Sequence, residues 1–224
     1  MKIKETIGRA LAKRDYEGLA DLAREHGGKI TNGLMAFLAE TDEQKKWPAV
    51  MALGIVTARL YDLDPEKAKR VLRQLIWNLN EESGGIGWGI PEAFGEILAR
   101  VPALKNDYAC LLVAYISKGP CYIENELLQE GVLWGLGRSG WIEERLKKDA
   151  LPFFQKALKN KNSALRGTAV WASGEIGAKE TVPLLKTLQR ENEMIKLFVN
   201  ENIQEKPLSQ WVEESLKKLN QGGE

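Results

Sequence analysis

Apolar residues recur at three- and four-residue spacing through most of the chain. Examples are the segments "LMAFLAE", "KRVLRQLIWNL", "YACLLVAYI" and "ERLKKDALPFFQKAL", with Gly, Pro, Asn and Asp in the gaps between such segments. This spacing predicts amphipathic helices joined by short loops. Asp64, Pro65 and Glu66 predict a helix start, with Asp64 as the N-cap and proline at the first helical position.

One segment departs from the helical spacing. In "MIKLFVNENIQEKPL", Ile195, Leu197 and Val199 alternate with other residues, and "NEN" is typical of a turn. We therefore predict a small β-hairpin near residues 194–206, followed by a final helix near residues 208–220.

A repeat of about forty residues organises the sequence. The segments "WPAVMALGIV", "WGIPEAFGEI", "EGVLWGLGRS" and "GTAVWASGEI" align on Gly54, Gly95, Gly137 and Gly174, with separations of 41, 42 and 37 residues. This period is typical of HEAT or armadillo repeats, each made of two or three helices. We predict an all-α fold, an α-solenoid of HEAT-like two-helix repeats. It forms one domain over 1–224, with repeats at roughly 1–40, 41–80, 81–120, 121–160 and 161–192 and a degenerate C-terminal cap at 193–224.

One repeat resembles a known family. Residues 163–192, "SALRGTAVWASGEIGAKETVPLLKTLQREN", resemble the HEAT-like repeat named after phycobilisome lyases, whose pattern is a basic residue, A-x-x-A-L-G-x-I-G and V-P-x-L. Ser173 stands where that pattern has leucine. The resemblance implies an α-solenoid and leaves the function open, since such repeats serve lyases, scaffolds and adaptors. The matching positions are Arg166, Ala169, Ala172, Gly174, Ile176, Gly177, Val182, Pro183 and Leu185.

Gly135, Gly137 and Gly140 have the G-x-G-x-x-G spacing of a dinucleotide-binding loop. Such a loop follows a buried strand, and an acidic residue stands about 20 residues further on. Here the preceding "ENELLQEGVLW" has helical character, and the chain about 20 residues later reads "QKALKN". We therefore predict no dinucleotide cofactor, and we assign these glycines to close approach of neighbouring helices.

A second set of side chains shares one face of the repeated helix. Counted from each aligned glycine, positions −7, −3 and +1 lie opposite the apolar face and combine tryptophan with ionic residues. We name this set the Trp/Glu/Arg ribbon and predict that it lines a partner-binding groove, because Trp and Arg are enriched in interaction hot spots. In an alternative interpretation the tryptophans pack between repeats and the ionic residues pair at their edges. The ribbon comprises Trp88, Glu92, Glu96, Glu130, Trp134, Arg138, Trp171 and Glu175.

Composition and net charge argue against several classes of function. A net charge of +1 argues against a nucleic-acid binder, and the longest apolar run, residues 108–116, is far below the ~20 residues that cross a membrane. We expect a cytoplasmic protein with Cys110 and Cys121 as buried free thiols. We predict no metal site, because the chain has one histidine, whereas carboxylate pairs such as Glu92/Glu96 need histidine partners in a di-metal bundle.

Three functional classes follow from these observations. The favoured class is a non-enzymatic scaffold whose groove binds a protein or peptide partner. A bilin-lyase-like or chaperone-like accessory protein is the alternative that the family resemblance implies. A DNA glycosylase built from HEAT repeats is a third class, although the ribbon offers glutamates and the net charge is near zero. In "CYIENELLQEG", Tyr122, Glu124 and Asn125 either cap a helix or border the groove.

Overall fold

A computed structural model describes residues 3–80, 87–140 and 142–221. The chain divides into two compact units, Met1–Ala103 and Leu104–Glu224. Within the described ranges, helices dominate both units and the strands form a single hairpin in the second. The predicted all-α fold with a small β-hairpin is therefore confirmed.

The described part of the first unit is built from five helices, and the third of them contacts all the others. Helix α3 packs on α2, α4 and α5, and α1 packs on α2. Large apolar residues such as Leu34, Leu53 and Leu72 are fully buried between these helices. The helices are α1 Ile3–Ala12, α2 Tyr16–Leu38, α3 Glu43–Leu63, α4 Pro65–Leu79 and α5 Ile90–Arg100, and a 3₁₀ turn covers Pro102–Leu104.

Local chemistry sets the helix boundaries of this unit. The Asp64 side chain accepts a hydrogen bond from the Glu66 backbone N–H, and Pro65 opens α4, as predicted. Helix α2 contains a kink at His26, whose φ of −123° and ψ of 26° are not helical. The two glycines that follow His26 lower the local helix propensity.

The second unit is also built from packed helices, and it contains the hairpin just before its last helix. Helix α7 packs on α9, and α9 packs on α11, while α8 contacts both α6 and α9. The predicted last helix is confirmed as α11. The elements are α6 Lys105–Ala114, α7 Glu126–Ser139, α8 Glu144–Ala157, α9 Ser163–Glu175, a 3₁₀ turn Lys179–Thr181, α10 Val182–Thr187, β1 Met194–Val199, β2 Asn202–Pro207 and α11 Leu208–Gln221.

The hairpin has a tight two-residue turn. Strands β1 and β2 are antiparallel, with Met194 opposite Pro207 and Val199 opposite Asn202. Asn200 and Glu201 between them have φ values of 53° and 61°. Positive φ at both central residues is typical of a type I′ turn, whose twist matches that of the strands.

Three of the four aligned glycines lie where helices of successive repeats touch. A Cβ atom on Gly137 would lie 2.6 Å from a Trp171 ring carbon, and one on Gly174 would lie 2.9 Å from the Ser215 Cα. Gly54 has the same relation to Glu96, whose Cγ would lie 2.5 Å away. Residues 126–139 form the continuous helix α7, so the G-x-G-x-x-G pattern does not form a strand-to-helix loop.

The prediction that the two cysteines are buried was wrong. Cys110 and Cys121 are free thiols, but both are exposed rather than buried. Cys110 lies on α6 with its Sγ 3.6 Å from the Asp107 carbonyl oxygen. Apolar residues next to a cysteine in sequence therefore do not show whether its side chain faces the core or the solvent.

Among the described residues, no helix is both long enough and apolar enough to span a bilayer.

Candidate functional site

Trp134 is the most enclosed member of the ribbon in the second unit. Its side chain is 4% exposed, and its indole Nε1 donates a 2.7 Å hydrogen bond to the Phe198 carbonyl oxygen on β1. The Trp134 ring stacks on Trp171, with centroids 6.1 Å apart, and lies 6.3 Å from the Phe198 ring. Strand β1 therefore covers the part of the ribbon that Trp134 contributes.

Trp171 has a similar position on α9 but a different polar environment. Trp171 is 7% exposed, and its buried Nε1 has no hydrogen-bond partner among the described residues. The glycine at 167 on the same helix leaves room for the side chain of Ile195 from β1. The hairpin thus packs against α9 as well as against Trp134.

The ionic members of the ribbon in this unit remain partly exposed. Glu130 and Arg138 on α7 and Glu175 on α9 are half-buried. Glu175 accepts a hydrogen bond from the Lys218 ammonium group of α11. Burial, followed by the positive charge of Arg138, lowers the pKa of Lys105, whose ammonium group donates to the Ser139 carbonyl.

The ribbon members of the first unit are held mainly by ion pairs. Glu92 is 5% exposed and Glu96 is fully buried. The Lys46 Nζ lies 2.6 Å from a Glu92 oxygen, and the Arg100 Nε lies 2.5 Å from a Glu96 oxygen. Trp88 is half-buried and precedes α5.

The eight predicted ribbon residues thus fall into two groups. The side chains of Glu92, Glu96, Trp134 and Trp171 are buried, while Trp88, Glu130, Arg138 and Glu175 keep part of their surface exposed. Binding of a partner by the ribbon stays a prediction. The four half-buried residues expose more surface to such a partner than the four buried ones do.

A cleft that the sequence did not predict lies near the start of α7. It has a volume of about 260 Å³, and its lining includes Tyr122, Glu124, Gln129, Phe153 and Lys156. The buried Gln129 amide donates to the Tyr122 hydroxyl at 3.1 Å and to the Ile123 carbonyl at 2.7 Å. The only sequence signal for this cleft was the cluster in "CYIENELLQEG".

Capping and hydrogen bonding organise the entrance of this cleft. Asn125 caps α7 by accepting hydrogen bonds from the backbone N–H groups of Leu127 and Leu128. The Glu126 carboxylate accepts hydrogen bonds from the side-chain amides of Asn160 and Asn162, which lower its pKa. The cleft therefore presents an ionised carboxylate beside the Tyr122 and Phe153 rings, which meet edge to face.

The described residues contain no group of three or more His, Cys, Asp or Glu side chains that could hold a metal ion.

Comparisons with known proteins place the fold among helical repeat proteins. Residues 124–195 match the family described as HEAT repeats. A designed armadillo repeat protein in complex with the peptide (KR)4 is 16% identical, with a TM-score of 0.59 over 97% of this chain and 91% of that chain. An engineered protein of the Northeast Structural Genomics Consortium is 15% identical, with a TM-score of 0.58 over 98% of this chain and 91% of that chain.

A third structure, of computationally designed armadillo repeat proteins for modular peptide recognition, is 16% identical, with a TM-score of 0.52 over 96% of this chain and 92% of that chain. The comparison with curated proteins found no match. These likenesses establish a helical repeat fold for the chain.

Proposed function

Because residues 124–195 match the family of HEAT repeats and the chain has a helical repeat fold, we propose that it is a non-enzymatic interaction module that binds a segment of a protein or peptide partner. The proposed surface in the second unit consists of Glu130 and Arg138 on α7, Glu175 on α9 and the cleft beside Glu126. Trp88 is the partly exposed ribbon residue that we propose as a contact in the first unit.

The observation that carries the proposal is the side-by-side packing of α7 and α9. Because Gly137 has no side chain, the Trp171 ring can lie against α7, and the two helices present half-buried ionic residues from equivalent repeat positions. An extended partner segment crosses successive repeats on such a surface and contacts the same position of each.

The cleft extends this surface by one helical turn. Glu126 lies four residues before Glu130, so the two carboxylates share a face of α7. A side chain of the partner entering the cleft would meet the edge of the Tyr122 and Phe153 rings and the Glu126 carboxylate. Aromatic rings and charged groups of this kind supply much of the energy of interaction hot spots.

The similar structures give independent support for this kind of function. One of them is a designed armadillo repeat protein in complex with the peptide (KR)4, and another was designed for modular peptide recognition. An array of helical repeats is therefore a fold that can bind an extended peptide, which is the kind of partner we propose for this chain.

In this proposal, Trp134 and Trp171 act as positioning residues. Their rings are buried in the contact between α7, α9 and β1, so they hold Glu130, Arg138 and Glu175 in place. Substitution of either tryptophan would therefore weaken binding through loss of structure, and the test must use the half-buried ionic residues.

Site-specific photocrosslinking in cells of the source organism tests the proposal. A photoreactive phenylalanine analogue replaces Glu130 or Arg138, and the matched control places it at the exposed Lys148 on α8. We expect one protein to be captured from both test positions and not from the control position. Capture of the same proteins from all three positions, or of none from Glu130 and Arg138, would overturn the proposal.

A further inference from the structure

A second cleft lies between α2 and α4 in the first unit. It has a volume of about 230 Å³, which is smaller than the pockets that bind drug-sized ligands. Its floor contains the buried apolar residues Ala23, Leu60 and Val71. The size suits a small ligand or one side chain of a larger one.

Positive charge dominates the wall of this cleft. Arg24 comes from α2, and Lys67 and Arg70 come from α4, whereas Glu25 is the one carboxylate of the lining. Helix α4 as a whole has four cationic residues and one acidic residue, Glu66. The local charge therefore differs from the near-neutral balance of the whole chain.

Lys67 and Arg70 are available to pair with a ligand, and Arg24 has only an exposed partner among the described residues. In the described ranges, no carboxylate forms an ion pair with Lys67 or Arg70, although their neighbours Lys69 and Arg73 both pair with Glu66. Arg24 lies 3.6 Å from Asp21, but both side chains are more than half exposed. Such surface pairs contribute little to stability, so little is lost when a ligand replaces the partner.

We infer that this cleft binds the phosphate group of a phosphate monoester, in a small molecule or in a phosphorylated side chain. Three cations around a small cleft match a group with a charge of −1.5 to −2 at neutral pH better than they match a carboxylate. The guanidinium groups of Arg24 and Arg70 have the fork geometry that binds phosphate oxygens in pairs. The apolar floor would take the carbon skeleton that carries the phosphate.

The backbone of α2 leaves the cleft open. Gly27 and Gly28 line it directly after the kink at His26. A Cβ atom on Gly28 would have no heavy atom within 4 Å. A side chain added at position 28 therefore begins in open space beside the other lining residues of the cleft.

A phosphorylated protein would reach further along α4 than a small molecule. Arg70, Gln74 and Trp77 follow one another at helical spacing on the same face. Trp77 is 69% exposed, so it is available to a peptide chain that continues beyond the cleft. A contact with Trp77 would therefore distinguish a phosphorylated protein from a small phosphorylated molecule.

The experiment measures binding of phenyl phosphate, benzoate and a phosphoserine peptide to the full chain by calorimetry, with amide chemical shifts of Gly27 and Gly28 as the local readout. The test variants are the double variant Lys67→Ala/Arg70→Ala and Gly28→Leu, and the matched control is Lys69→Ala. Circular dichroism checks that each variant is folded. None of the altered residues is buried, so we expect every variant to fold.

We expect phenyl phosphate to shift the Gly27 and Gly28 amides and to bind more tightly than benzoate. The double variant and Gly28→Leu should each weaken its binding by at least about tenfold, while Lys69→Ala should change it less than about twofold. Equal binding of phenyl phosphate and benzoate, or equal losses in Lys69→Ala and the double variant, would overturn the inference.

The phosphoserine peptide identifies the source of the phosphate. Tighter binding of the peptide than of phenyl phosphate, lost in Trp77→Ala, supports a phosphorylated protein, and equal binding of the two supports a small ligand. This cleft is distinct from the surface of α7 and α9, so failure of either proposal leaves the other unaffected.

Discussion

Trp134 on α7 donates its indole N–H to the carbonyl oxygen of Phe198 on β1, across a distance of 2.7 Å. The bond joins residues 64 positions apart in sequence. It connects the repeat helices to the hairpin, and it satisfies a buried donor that would otherwise lower the stability of the fold.

The first prediction concerns this hydrogen bond. Trp134→Phe removes the donor but keeps an aromatic ring, and it leaves the Phe198 carbonyl without this partner. The free energy of unfolding should fall by about 1–3 kcal/mol more than in Trp171→Phe, because the Trp171 Nε1 has no partner among the described residues. Urea denaturation of both variants measures the difference, and equal losses would show that the bond contributes nothing.

The second prediction concerns the close contact between repeats. In Gly137→Ala the added methyl group would lie 2.6 Å from a Trp171 ring carbon and 3.1 Å from the Ala172 Cα. We expect a destabilisation of about 1–3 kcal/mol from overpacking. Gly28→Ala is the control, because its methyl group meets no atom within 4 Å and alanine favours a helix by about 1 kcal/mol. Thermal denaturation should therefore move the two melting temperatures in opposite directions.

The third prediction concerns the ion pair between Lys46 and Glu92. Lys46→Met removes the ammonium group 2.6 Å from the carboxylate of Glu92, whose side chain is 7% exposed, so a poorly solvated acidic group loses its cationic partner. We expect a loss of up to about 3 kcal/mol. The double variant Lys46→Met/Glu92→Leu should recover part of this loss, because it removes both charges. If the double variant is less stable than Lys46→Met in urea denaturation, the desolvation argument is incorrect.

The fourth prediction concerns the pH dependence of Glu126. Hydrogen bonds from Asn160 and Asn162 lower the pKa of its carboxyl group in the folded protein. The stabilisation is therefore fully present above the pKa of the unfolded chain, about 4.3 for glutamate, and is lost as the pH falls through the lowered folded pKa.

Asn160→Ala removes one of these donors, so the pKa of Glu126 should rise toward its ordinary value. Titration of the Glu126 side-chain carboxyl carbon by NMR measures this change. Lys148→Ala on the exposed side of α8 serves as the control and should leave the titration curve unchanged. An unchanged curve in Asn160→Ala would show that the amide does not stabilise the ionised form.

The sequence by itself determined the repeat and most of the elements. The aligned glycines, the cap at Asp64 and the alternation from Ile195 to Val199 correctly predicted helix contacts, a helix start and the hairpin. The cap and the alternation depend on side chains within about four residues of one another, because helix and strand periodicities are local. The glycines were found because they recur at the period of a helical repeat.

The tertiary structure decided which of these surfaces remain exposed. Helical spacing predicted that Trp134 shares a face with Glu130 and Arg138. It could not predict that Phe198 of β1 would cover the indole. The kink at His26, the exposed thiol of Cys110 and the cations around the α2–α4 cleft were equally absent from the local pattern. Burial depends on what packs across from a helix face, and the covering residue is set by long-range packing rather than by neighbours in sequence.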